Sequence, residues 1–155
     1  MKRWNRGWTY LLVILYAIVL GAFVINAEAG TGYKAEYLKN WDGDTITFLV
    51  VAWAVKGDVI LLQRNVRLAG VDTPEINGEC EKEKQLAQNA RIYTQVILEA
   101  SDDIMLIPTG DSTLGRPVAH VLVNGESLAE QLVKNGLAKF SKKQADWCDG
   151  TKPES

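Results

Sequence analysis

Residues 9–25, TYLLVILYAIVLGAFVI, carry no charged side chain. A basic cap of Lys2, Arg3 and Arg6 precedes them. A run that is apolar on every face does not suit a core helix, which shows one polar side. It reads as an export signal or a membrane anchor, and residues 1–29 are set apart from the folding domain. Ala27-Glu28-Ala29 is an A-x-A pattern, so cleavage after Ala29 is one outcome. The run is also just long enough to span a bilayer, so retention, with membrane contact through residues 8–26, is the other. In both cases the basic cap stays cytoplasmic and residue 30 onward lies outside, periplasmic or extracellular.

The expected organisation is therefore a signal or anchor over 1–29, one domain over 30–148 and a loose tail over 149–155. A chain of 155 residues fits one compact domain. The net charge of −2 argues against coating nucleic acid through bulk positive charge. The exported part is more acidic still, because Lys2, Arg3 and Arg6 fall outside it. Two cysteines and one histidine are too few for a cysteine/histidine zinc cluster. A metal site must be built mainly from oxygen ligands.

Residues 34–41 and 45–53 are β-branched or apolar runs around Asp42-Gly43, a turn dipeptide. Lys56-Gly57-Asp58 is a second turn. Residues 59–62 and 65–69 read as strand, one strand bent at Gln63-Arg64 or two. Pro74 makes residues 72–75 a loop. Leu86, Ala90, Tyr93, Ile97 and Ala100 recur at helical spacing and predict a helix over 79–100. Strands follow at 102–107 and 117–123, the latter closed by Asn124-Gly125. Ser127-Leu-Ala-Glu130 is a capping box opening a short helix, with Gly136 at its end. Residues 137–140 can add a last strand. Three strands, a helix, two strands and a helix suit a five-stranded Greek-key barrel, and an open α+β sheet fits nearly as well.

The chemistry-bearing side chains cluster at strand ends. Asp42 and Asp44 sit in D-G-D-T, and Asp72 and Glu75 in V-D-T-P-E. Two loops each offering a carboxylate suit a hard cation, although each motif alone is more often a plain turn. Arg67 and Arg116 stand near these loops or near turns, and the arginine fork matches phosphate oxygens. Alone, each would be a surface strand arginine. His120 lies on a strand without a nucleophile beside it and reads as structural.

Together these pieces resemble the staphylococcal nuclease family, the thermonucleases. The resemblance runs from about Lys34 to Phe140. It rests on D-G-D-T at 42–45, V-R-L-A-G-V-D-T-P-E at 66–75, L-G-R at 114–116, V-N-G-E-S-L from 123 and N-G-L-A ending at 138, in the family's order. It implies an α+β fold, mainly β: a five-stranded OB-fold-type barrel with two helices. It implies a monomeric, calcium-dependent nuclease acting on single-stranded or denatured DNA and RNA, with 3′-phosphorylated products. Asp44 and Asp72 would ligate one Ca2+, with Mg2+ or Mn2+ as substitutes, and the Thr73 carbonyl would be a third ligand. Glu75 would hold or deprotonate the attacking water. Arg67 and Arg116 would grip the scissile phosphate, and Asp42 would stand behind the ligands. The alternative is a non-catalytic barrel of the same fold that binds nucleic acid or protein at the cell envelope.

Two positions depart from the family. A tyrosine expected just before the Gly-Arg pair is Leu114, and another is replaced at about Lys142. Both tyrosines help hold the nucleotide, so affinity or base preference is expected to differ. Cys80 and Cys148 either remain free or form a disulfide, which export would permit.

Overall fold

The computed structural model describes residues 32–55, 58–140 and 146–148, with side chains omitted for 52–60. The apolar run, the turn at Lys56-Gly57, Lys142 and the tail lie outside the described residues. Among the described residues no helix is long and apolar enough to cross a membrane.

The strands are β1 (Tyr33–Asn40), β2 (Thr45–Val55), β3 (Asp58–Leu68), β4 (Ile104–Thr113), β5 (Arg116–Val123) and the two-residue β6 (Glu126–Ser127). The helices are α1 (Glu81–Glu99) and α2 (Leu128–Lys134). The sheet runs β3-β2-β1-β4-β5-β6, and β3 also pairs with β5. That last pairing closes the first five strands into a barrel, so the five-stranded expectation holds and the open sheet does not. Closure removes the edges that would otherwise invite pairing with other chains.

Inward residues alternate as the pleat requires. Ile46 and Phe48 from β2, Val66 and Leu68 from β3, Ile104 and Leu106 from β4, and Ala119, Val121 and Val123 from β5 fill the interior. Leu98 of α1 and Leu128 and Leu132 of α2 join the same core. His120, between buried Ala119 and Val121, faces outward and is exposed.

Several details differ from the sequence-based expectation. The halves around Gln63-Arg64 form one strand. Strand β4 runs on to Thr113, with an irregularity in its pairing to β5 between Pro108 and Ser112, where Pro108 is tolerated. Residues 137–140 add no strand. Lys139 makes a single antiparallel bridge to Asp72, with both backbone bonds formed. The ladder stops there because the next bonded pair would be Pro74 with Leu137: Pro74 has no amide to give, and the Leu137 amide donates to the Leu132 carbonyl at 2.9 Å.

The buried face of α1 is also rotated from the expected stripe. Glu83, Ala87, Ala90, Thr94 and Leu98 are buried, while Leu86, Tyr93 and Ile97 flank the core and Ala100 is exposed. The cause is a turn that docks on small residues. A Cβ added to Gly43 would come within 2.8 Å of the Ala90 Cβ and 2.9 Å of the Thr73 Cγ2. The Thr94 hydroxyl donates to the Gly43 carbonyl at 2.9 Å. Gly43 is thus glycine for close approach, not for a left-handed backbone. Cys80 and Cys148 form a disulfide, with 5.9 Å between their Cα atoms.

Candidate active site

Strand register brings the candidate residues together. Thr45 opens β2 opposite Arg67 near the end of β3. Arg67 in turn lies beside Val118 in the parallel β3–β5 pairing, and Arg116 opens β5 two residues earlier. Asp44 immediately precedes β2. Asp72 follows β3 across a turn at Gly70, where φ is +78° and glycine is needed. Barrel closure is therefore what gathers Asp44, Arg67, Asp72 and Arg116.

Arg67 bridges the two aspartates. Its Nη1 donates to Asp44 Oδ1 at 2.7 Å and its Nη2 to Asp72 Oδ1 at 3.0 Å. Asp44 is fully buried. Its other oxygen, Oδ2, accepts from the Thr73 amide at 3.1 Å. Burial pushes the Asp44 carboxyl up to about 7, against the pull of the Arg67 guanidinium; the charge of Asp42 adds to the rise. Buried acidic charge of this kind favours a cation nearby.

Thr45 links this cluster to Arg116. Its hydroxyl accepts from Arg116 Nη1 at 3.0 Å and donates to Asp44 Oδ1 at 3.3 Å. Arg116 is placed by the turn at Leu114 and Gly115, both with positive φ. Asp42 shapes the opposite turn: its Oδ1 accepts from the Asp44 amide at 3.0 Å. Asn40, itself buried, donates to the Asp42 and Arg91 carbonyls and ties that turn to α1.

Glu75 stands on the loop leading to α1. Burial, and then the charge of Asp42, raises its carboxyl above the ordinary value, while Arg67 opposes the rise. The loop is held by Glu83, whose Oε1 accepts from the Glu75 amide at 3.3 Å and whose Oε2 accepts from the Glu79 amide at 2.8 Å. Glu83 is buried, and Cys148 Sγ lies 3.7 Å from its Oε2. The disulfide and this carboxylate thus share one corner of the fold, behind the Glu75 loop.

The six candidate metal-binding and catalytic residues lie in this region: Asp44, Arg67, Asp72 and Thr73 in direct contact, Arg116 through Thr45, and Glu75 within electrostatic range of Arg67 and Asp72. Thr45, Asn40 and Glu83 were not singled out. Thr45 was visible inside D-G-D-T. Glu83 occupies the third helical position, where a capping box has its acid, but the cap residue is Cys80 and offers no side-chain bond.

The donor set suits a hard divalent cation. Two carboxylates converge on one guanidinium, one of them buried and raised toward neutrality, and no thiol or imidazole competes at the site.

Comparison with known proteins gives two matches. The model of a family described as staphylococcal nuclease homologue matches residues 65–154. A thermonuclease of Staphylococcus hyicus is 27% identical over 145 residues, covering 90% of this chain and 82% of that protein.

Proposed function

The chain belongs to the staphylococcal nuclease family, and we propose on that premise that it is an exported nuclease hydrolysing phosphodiester bonds of single-stranded or denatured DNA and RNA with the help of Ca2+. The observation that carries this proposal is the Arg67 fork spanning Asp44 and Asp72, with Arg116 joined through Thr45 and Glu75 alongside. A barrel that only binds has no physical use for that whole set.

Asp44, Asp72 and the backbone at Thr73 would hold the cation. When bound there, it supplies positive charge for the phosphoryl oxygens. Arg67 and Arg116 add fixed donors for the same oxygens, where charge grows in the transition state. Glu75 takes or steers a proton of the attacking water, and its raised carboxyl brings it nearer the proton affinity that such a base needs. Burial of the cluster keeps these interactions strong, because little water competes. The attack breaks the bond to the leaving 5′ oxygen and leaves 3′-phosphorylated products. Every named group comes from one barrel, so a monomer would suffice for this chemistry.

The apolar run of residues 9–25 supports export, and the Cys80–Cys148 disulfide suits an oxidising compartment. The test is hydrolysis of denatured DNA by the purified chain, with added Ca2+ and with chelator. Cleavage that requires Ca2+ is expected. No cleavage by folded protein with Ca2+, Mg2+ or Mn2+ would overturn the proposal.

A further inference from the structure

Trp41 directly precedes Asp42 and is 57% exposed. Its position is nevertheless fixed. The Trp41 amide donates to the Thr45 carbonyl at 2.9 Å, and the neighbouring Asn40 side chain is bonded on both sides. Trp41 lines a cleft of about 450 Å³ together with Asp42, Glu75, Ile76, Asn77 and Arg91. The cleft therefore opens on the carboxylate assigned to the attacking water. Lys39 Nζ lies over the Trp41 ring, 4.7 Å from its centroid, so one face of the ring already carries a positive charge, and Arg91 supplies another charge at the cleft.

The cleft beside Arg116 is different. It is lined by Gln63, Arg64, Asn65, Leu114, Gly115 and Pro117 as well as Arg116, and among the described residues no aromatic ring lines it. Leu114 there is 90% exposed and offers an aliphatic chain where a base would need a flat partner. Of these two clefts, the one lined by Glu75 is the one that holds an exposed ring.

We propose that Trp41 is a stacking platform for an unpaired nucleobase next to the scissile phosphate, with Lys39 and Arg91 attracting the adjoining phosphates. This rests on the nuclease proposal above. Every base has a π-face, so such a platform binds single strands without demanding a particular sequence. Duplex DNA keeps its bases stacked on each other and cannot use it.

The test is steady-state hydrolysis of a short single-stranded oligonucleotide with one cleavage position. Trp41→Ala should raise KM by about 10-fold, within the range that base–aromatic stacking spans, with kcat unchanged. Trp41→Phe should recover most of the loss. An oligonucleotide with an abasic residue at one neighbour of the scissile phosphate should bring wild type and Trp41→Ala to the same KM. Unchanged KM in Trp41→Ala, or an equal loss with abasic residues at every position, would overturn the platform. Anisotropy of a labelled oligonucleotide, comparing Glu75→Gln with Glu75→Gln/Trp41→Ala, reads the same subsite without turnover. Weaker binding of the double variant, beside a wild type that cleaves nothing, sinks the nuclease proposal and keeps the platform. Turnover with no change in KM or anisotropy does the reverse.

Discussion

The buried carboxylate of Glu83 accepts a hydrogen bond from the backbone amide of Glu75 at 3.3 Å, so one acid positions the main chain of another. The same carboxylate holds Glu79 at 2.8 Å. Glu83→Ala removes both acceptors and leaves two loop amides without partners. We expect a stability loss of about 1–3 kcal/mol, because two amide donors lose their acceptor. We also expect a fall in kcat larger than any rise in KM. Denaturant unfolding and steady-state kinetics on the same preparation check both.

Asp44 gives the metal-free chain a particular pH dependence. Its carboxyl is raised from 3.8 to about 7, chiefly by burial, so the folded state keeps a proton that the unfolded chain releases. Stability from this group is complete below about pH 4 and is lost as pH rises toward 7. Thermal melts in chelator should show that slope, and Asp44→Asn should flatten it. Protons compete with the cation for the same carboxylate, so Ca2+ affinity should rise across the same window. Calorimetric titration at several pH values reads it.

Glu75 sets the acid side of the rate profile. Burial and Asp42 raise its carboxyl above 4.5, and a base must be ionised to act. The acid limb of kcat/KM is expected above the ordinary carboxylate range, and Glu75→Gln should remove it along with most turnover.

Arg67→Ala is expected to lower kcat about 100-fold or more, the scale for losing a donor aimed at developing charge. It leaves the buried Asp44 without its guanidinium, and Asp44 then takes up a proton instead of unfolding the barrel. Circular dichroism should stay native while hydrolysis is lost.

Gly43→Ala tests the docking of the first loop on α1. The new Cβ would crowd Ala90 and Thr73, and overpacking of this kind costs about 1–3 kcal/mol. Because Asp42 and Asp44 flank Gly43, a loss of Ca2+ affinity should accompany the drop in melting temperature.

The strands and the two helices were legible because alternation and turn dipeptides carry them. Asp44, Arg67, Asp72 and Glu75 were legible because they sit in two compact motifs at strand ends. The supporting residues were hidden for physical reasons. Glu83 looks like an ordinary acid in a first helical turn, and only the fold shows that its oxygens reach back to Glu75 and Glu79. The stripe through Leu86 and Tyr93 pointed to the wrong centre of the helix face. What faces the core is decided by the fit of Gly43 against Ala90 and Thr94, which helical spacing alone does not encode. Leu137–Phe140 looked like strand, but the amides needed to continue the ladder were missing at Pro74 and committed to Leu132 at Leu137.

Barrel closure makes the site a late product of folding. Arg116 reaches Thr45 across 71 residues, and Arg67 reaches Asp44 across 23. A chain in which β5 has not yet docked therefore carries Asp44, Arg67 and Asp72 without the geometry that joins them to Arg116. The Cys80–Cys148 bond spans 68 residues and joins the corner behind Glu75 once the final segment has arrived. For the exported nuclease proposed above, distance along the chain would work as a safety catch, released only by completing the fold.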